Sequence, residues 1–158
     1  MTTYLVQPIP APVLEELRTA DDAGRPLVPV TDEEGGAPLR CCLRHSEPGE
    51  RIALVSYAPL RRWAARTGAD PGAYDEQGPV FVHAEECAGW RGGTPPFTHS
   101  HRVLRRYSGE GHILGGELVE TPEAFTTGLV NAFDDPAVAL VHVRAVEYGC
   151  FLYEVRRP

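Results

Sequence analysis

Lysine does not occur in this 158-residue chain: all fifteen basic residues are arginine. Schiff-base chemistry on a lysine amine, anchored pyridoxal phosphate included, is therefore excluded. The phosphate loop, which needs a lysine after its glycines, is excluded with it. Gly89, Gly92 and Gly93 lie close together without making the spaced-glycine dinucleotide fingerprint or opening a helix after a strand, so a dinucleotide fold is not expected. Long apolar runs are also missing. No stretch approaches the roughly 20 residues of a spanning helix, and Met1 to Pro8 has neither a basic region nor a long apolar core. A cytoplasmic protein without a membrane partner is expected. Positive charge is in deficit too, and a net charge of -7 opposes the field that draws proteins to phosphates. Arg102, Arg105 and Arg106 form a local basic patch without interleaved stacking aromatics, so nucleic acid is not an expected partner. Cysteine is sparse, and four at irregular spacing read as reduced thiols rather than a disulfide scaffold.

What is present fits one domain spanning residues 1–158, long enough for a core without disulfides and free of repeats or evident linkers. A first strand is predicted over Tyr4 to Ile9 and a short helix over Pro12 to Ala20, with Val13, Leu14 and Leu17 on its apolar face. Residues 25–38, with three prolines and the run Asp32-Glu33-Glu34-Gly35-Gly36, read as a solvated loop. Arg51 to Tyr57 reads as a strand, Leu60 to Thr67 as a helix ending at Gly68, and Asp70 to Gln77 as turn. Val80 to His83 is the next strand, followed by a glycine-rich and proline-rich loop from Ala88 to Pro96. Arg102 to Tyr107 and Ile113 to Val119 flank a Ser108-Gly109-Glu110-Gly111 turn as an antiparallel pair. Thr121-Pro122-Glu123-Ala124 starts a helix carrying Phe125, Leu129, Val130 and Phe133, stopped by Asp134-Asp135-Pro136. Ala137 to Val146 and Cys150 to Arg156 make a last hairpin. The expected class is α+β, a mostly antiparallel sheet with two or three covering helices.

Chemistry concentrates in Gly78-Pro79-Val80-Phe81-Val82-His83-Ala84-Glu85-Glu86-Cys87. Kept extended, the His83 and Cys87 Cα atoms would stand about 13 Å apart, too far to share an ion or a proton. A helical turn over Glu85-Glu86-Cys87-Ala88 would bring them to one side and let the imidazole lower the thiol pKa. The competing reading is a cysteine packed under a strand end. His142 and Arg144 share one strand face while Val141 and Val143 enter the core. On a cleft, Arg144 would clamp an anion and His142 would move a proton; on an open face both are solubilising. Cys150 and Cys42 complete the inventory. Cys42, His83, Cys87 and either His142 or Cys150 would make a sulfur and nitrogen set suited to zinc, but no compact zinc spacing is present and no metal is assigned. His99 and His101 form a separate His-x-His pair about 7 Å apart at Cα in a strand, read as a solvated strand entrance.

Several motifs recur together: Pro38-Leu39-Arg40-Cys41-Cys42-Leu43-Arg44, Glu47-Pro48-Gly49-Glu50, Gly78 to His83 with Cys87, and Val141-His142-Val143-Arg144 followed by Gly149-Cys150-Phe151. In their order the chain resembles a bacterial domain-of-unknown-function family, number twelve-hundred-and-three, over nearly its whole length. A GC-rich bacterial composition, rich in Arg, Ala, Gly and Pro, agrees with that. The resemblance implies one fold and this choice of site, and no activity. Its pattern carries Pro-Cys-Arg-x-Cys-Leu, whereas Leu39 stands at the first cysteine here and Cys41 is extra. Vicinal Cys41 and Cys42 can form only a strained disulfide, which argues against a dithiol redox role.

Two function classes follow. In the preferred one the protein is an enzyme acting on an anionic small molecule. His83, Cys87 and His142 supply acid-base or nucleophilic chemistry, and Arg144, Cys42 and Cys150 line the substrate site. In the alternative the same groove holds a small molecule or peptide without catalysis and the cysteines are structural.

Overall fold

The computed structural model describes residues 4–158. In chain order its elements begin with strand β1 (Leu5–Gln7), helix α1 (Ala11–Thr19) and strand β2 (Val30–Asp32). Strand β3 (Glu50–Tyr57), helix α2 (Pro59–Thr67), a single 3-10 turn at Gly72–Tyr74 and strand β4 (Gly78–His83) follow. The last third holds β5 (Arg102–Tyr107), β6 (Ile113–Val119), helix α3 (Pro122–Asp134), β7 (Leu140–Ala145) and β8 (Phe151–Arg156). All strand pairings within the sheets are antiparallel. Among the described residues the class is α+β with three α-helices, and the strands form two sheets, ordered β1-β8-β7-β5-β6 and β2-β3-β4.

The chain divides into two compact units. One holds residues up to Gln7, Ala58–Glu76 and Phe97–Pro158; the other holds Pro8–Tyr57 and Gln77–Pro96.

The first unit is built on the five-stranded sheet. Helix α3 starts where Thr121 accepts a hydrogen bond from the Ala124 N–H at 3.0 Å, satisfying a donor that the first turn leaves open. Phe125, Leu129 and Phe133 recur on its inner side and are buried. At Gly128 the helix comes so near the sheet that an added Cβ would stand 2.8 Å from Leu104 Cδ1. Helix α2 brings Leu60 onto Tyr107 and Leu140. Its Trp63 donates an indole hydrogen bond to the Gly109 carbonyl at 2.8 Å.

In the second unit β3 is the central strand, pairing with β2 through Ile52 and Val30 and with β4 through Ile52 and His83. Strand β2 lies inside the stretch expected to be loop. It is three residues long with Val30 and Thr31 exposed, so it forms from backbone pairing to β3 and has no apolar run to announce it. Helix α1 buries Leu14 and Leu17. Its end is tied to β3 by Asp21, whose carboxylate accepts the Ser56 N–H at 2.9 Å. Leu39 to Leu43 make a tight turn closed by the Leu43 N–H on the Leu39 carbonyl, with Leu43 in the left-handed region at φ 57. The Arg40 N–H donates to the Phe81 carbonyl at 2.9 Å, which hangs this turn on β4.

Candidate metal centre

The turn after Leu39 presents Cys41 and Cys42 to the end of β4, where His83 is the last strand residue. Cys41 and Cys42 are 1% and 8% exposed, and both are free thiols with their sulfurs 3.9 Å apart. His83 Nδ1 lies 3.4 Å from the Cys41 sulfur and 3.8 Å from that of Cys42. The backbone N–H of His83 also donates to Cys41 Sγ at 3.2 Å, an arrangement that suits a thiolate. Cys87 joins them: the donor atoms of Cys41, Cys42, His83 and Cys87 all lie within 4.8 Å of one another.

No helical turn brings Cys87 round. Residues 84 and 85 are a bend without helix, and Arg18 of α1 fastens it by donating to the His83 carbonyl at 3.2 Å and to that of Glu85 at 2.9 Å. The bend does what a helical turn would have done, because the carbonyls it leaves unpaired find a guanidinium instead.

His83 Nε2 stands 2.7 Å from Glu50 Oε2. A carboxylate there fixes the proton on Nε2 and turns the Nδ1 lone pair toward the sulfurs. Glu50 is in turn gripped by both terminal nitrogens of Arg44, at 2.8 and 3.4 Å. That grip, and then the His83 hydrogen bond, outweigh partial burial and hold the Glu50 carboxyl below its ordinary value. The thiols also perturb one another. The hydrogen bond that Cys41 donates to Cys42, reinforced by burial, pushes the Cys41 thiol far up, and accepting it holds Cys42 below the usual thiol range. Burial raises Cys87. Of the two vicinal thiols, Cys42 is the one that ionises more readily and Cys41 the one that holds its proton.

The donor set fits a metal that prefers sulfur and imidazole. With zinc-to-sulfur distances near 2.3 Å, tetrahedral coordination requires neighbouring sulfurs about 3.8 Å apart. The Cys41, Cys42 and His83 donors stand at 3.4 to 3.9 Å, close to that spacing before any ion is considered. Beside the cluster opens a cavity of about 520 Å³, bounded by Cys42, Arg44, His83, Cys87, Trp90 and Arg91 among others.

Of the residues singled out from sequence, Cys42, His83 and Cys87 therefore meet, and Cys41, Glu50, Arg44 and Arg18 join them. His142, Arg144 and Cys150 belong to the other unit. His142 is not on an open face: it is 1% exposed, with the Tyr107 and Phe151 rings 4.6 and 5.0 Å from its own. Its Nε2 donates to Glu154 Oε1 at 3.0 Å and its Nδ1 is buried without a partner. Desolvation lowers the His142 pKa, so a neutral ring faces an ionised Glu154. Burial pushes that carboxyl up, but His142 and Arg156 together bring it below its ordinary value. Arg144 donates from Nε to the Gly149 carbonyl at 2.9 Å, and Cys150 is half-buried beside that turn. Arg102, one of the three arginines of the local basic patch, is buried and donates to the Phe97 carbonyl at 2.7 Å. Among the described residues, the metal-binding side chains that cluster are the four at this centre, without His99 or His101.

A profile described as protein of unknown function, DUF1203, matches residues 36–157. The chain belongs to the DUF1203 family. The matched stretch carries all four donors of the centre and every element from β3 to β8, while α1 with Arg18 lies outside it. No curated protein and no solved structure matches this DUF1203 chain. No helix among its described residues is long and apolar enough to cross a membrane.

Proposed function

We propose that this protein is a zinc protein whose centre, Cys41, Cys42, His83 and Cys87, forms the floor of a cleft for an anionic small molecule. The observation that carries the reading is the mutual spacing of the donors, 3.4 to 3.9 Å for three of them and within 4.8 Å for all four. Three sulfurs and one imidazole select zinc over oxygen-seeking cations. The carboxylate on the far ring nitrogen is the orientation that metal-binding histidines commonly require. Arg44 and Arg91 at the cleft supply the positive field for the anion. Purified without a histidine tag, the protein is expected to carry about one zinc per chain by elemental analysis. The Cys42→Ser and His83→Ala variants are expected to retain less than about a tenth of it. Metal-free wild-type protein that takes up no zinc overturns the proposal.

A second reading rests on the lowered Cys42 thiol at the cavity wall. Without an ion, Cys42 would act as a nucleophile toward the same anionic substrate, with His83 moving the proton. Rapid alkylation of Cys42 alone in zinc-free protein, with a catalytic turnover that added zinc abolishes, would favour this enzyme.

A further inference from the structure

The four donors are not held alike. Cys41 and Cys42 are buried in a turn closed by its own hydrogen bond and hung on β4. His83 is fixed by strand pairing to Ile52, by Glu50 on its ring and by Arg18 on its carbonyl. Cys87 is held more lightly, its sulfur accepting from the Gly89 N–H two residues on in the same loop. It is half-buried, it follows the bend, and residues 87–95 make no backbone-to-backbone hydrogen bond among the described residues. Gly89, Gly92 and Gly93 in that stretch all adopt positive φ, with nothing near the positions their side chains would fill. Cys87 also lines the cavity, whose volume of about 520 Å³ suits a small organic ligand. Arg91, on the same wall, has no hydrogen-bond or ion-pair partner among the described residues.

We infer that Cys87 is the exchangeable ligand of the centre, and that the cavity receives a small mercapto acid whose sulfur replaces Cys87 on the ion while its carboxylate meets Arg91. The inference deepens the zinc reading and rests on it. A thiolate is the replacement that leaves the charge and softness of the donor set unchanged, and a planar guanidinium matches a carboxylate. In the exchange the zinc bond to Cys87 breaks with the electron pair remaining on the Cys87 sulfur. The incoming thiol forms the new zinc-to-sulfur bond and gives up its proton, which Cys87 takes. No electron is transferred. The centre thereby alternates between a closed four-protein-ligand state and one with three protein ligands and a bound guest, the arrangement that separates structural from reactive zinc sites.

The test uses zinc-loaded full-length protein, mercaptoacetate as the probe, and pulse alkylation read by mass spectrometry alongside retained zinc. Mercaptoacetate is expected to speed alkylation of Cys87 at least tenfold, leaving Cys41 and Cys42 protected and the zinc in place. In Arg91→Gln the concentration needed should rise at least fivefold, and acetate, which lacks the sulfur, should expose nothing. Cobalt-loaded Cys87→Ser is expected to keep one tetrahedral ion with a weakened sulfur-to-cobalt charge-transfer band, whose intensity rises by about half, to the three-sulfur level, on adding mercaptoacetate. Equal protection of all three thiols in the zinc-loaded wild type at every mercaptoacetate concentration overturns the inference while leaving the zinc reading intact. So does loss of zinc in step with Cys87 alkylation. A wild type that binds no zinc overturns both.

Discussion

The two ring nitrogens of His83 face different partners, Glu50 on one side and the cysteine sulfurs on the other. Glu50 touches none of the sulfurs, yet it sets the tautomer and the ring plane. Replacing it with glutamine leaves the side-chain shape and removes the charge, so the ring loses its electrostatic anchor. Glu50→Gln is expected to weaken zinc binding by about 10- to 100-fold in a competition titration, with little change in the circular dichroism of the metal-free protein. Cys42, His83 and Cys87 could be picked out of the sequence because residue type alone advertises them. Glu50 and Arg44 could not, since their nearness to His83 comes from the β3 and β4 register, which places His83 opposite Ile52, two residues after Glu50. Cys41 looked superfluous for a related reason: adjacent residues reach one point only in a tight turn, and Leu43 at positive φ is what makes that turn.

Helix α3 was legible from its ends inward, because Thr121 and Pro122 open it and its apolar residues keep helical spacing. Strand β2 was not, since three residues, two of them exposed, are too few to show a period. The helix also sets a prediction. A methyl at Gly128 would press on Leu104 Cδ1 at 2.8 Å and on Val119 Cγ1 at 3.3 Å, and Leu104 is itself buried and has nowhere to go. The helix-propensity gain of alanine, about 1 kcal/mol, is smaller than an overpacking cost of about 1–3 kcal/mol, so Gly128→Ala should lower stability by about 1 kcal/mol in denaturant titration. Strand β7 sets another. Alternation with Val141 and Val143 says which residues share a face with His142 and is silent on whether that face is covered. Glu154, Arg105 and Arg144 bear on its ring, and the net effect is a lowered pKa. The folded chain therefore stays neutral there while the unfolded chain takes up a proton near pH 6.5. Stability is full above that pH and falls as the pH drops, by about 1.4 kcal/mol per unit while the folded ring remains neutral. His142→Gln should flatten the loss between pH 7 and 5.5, measured as the denaturant midpoint at each pH.

The four side chains that could hold a metal all come from one of the two compact units, so the removal of the proposed zinc should not be felt evenly along the chain. With zinc chelated, amide hydrogen exchange is expected to quicken at least tenfold over residues 39–44 and 83–88. The amides of β5, β7 and β8, paired in the five-stranded sheet, should change less than twofold. Uniform quickening would mean that the centre maintains the whole fold. The general class was readable in advance because hydrophobic periods and turn residues report local structure. The splitting of the strands into two sheets was not, because the choice of strand partners depends on contacts remote in sequence.

Between Cys42 and His83 the chain leaves its unit, contributes residues 58–76 to the other one and returns. An ion gripped by both residues closes that excursion into a ring of about 40 residues. For an unfolded chain that keeps its ion, ring closure removes conformational freedom worth about 4 kcal/mol on the polymer argument used for disulfides of that span. A reducing compartment would leave this staple in place, and a strong chelator would cut it.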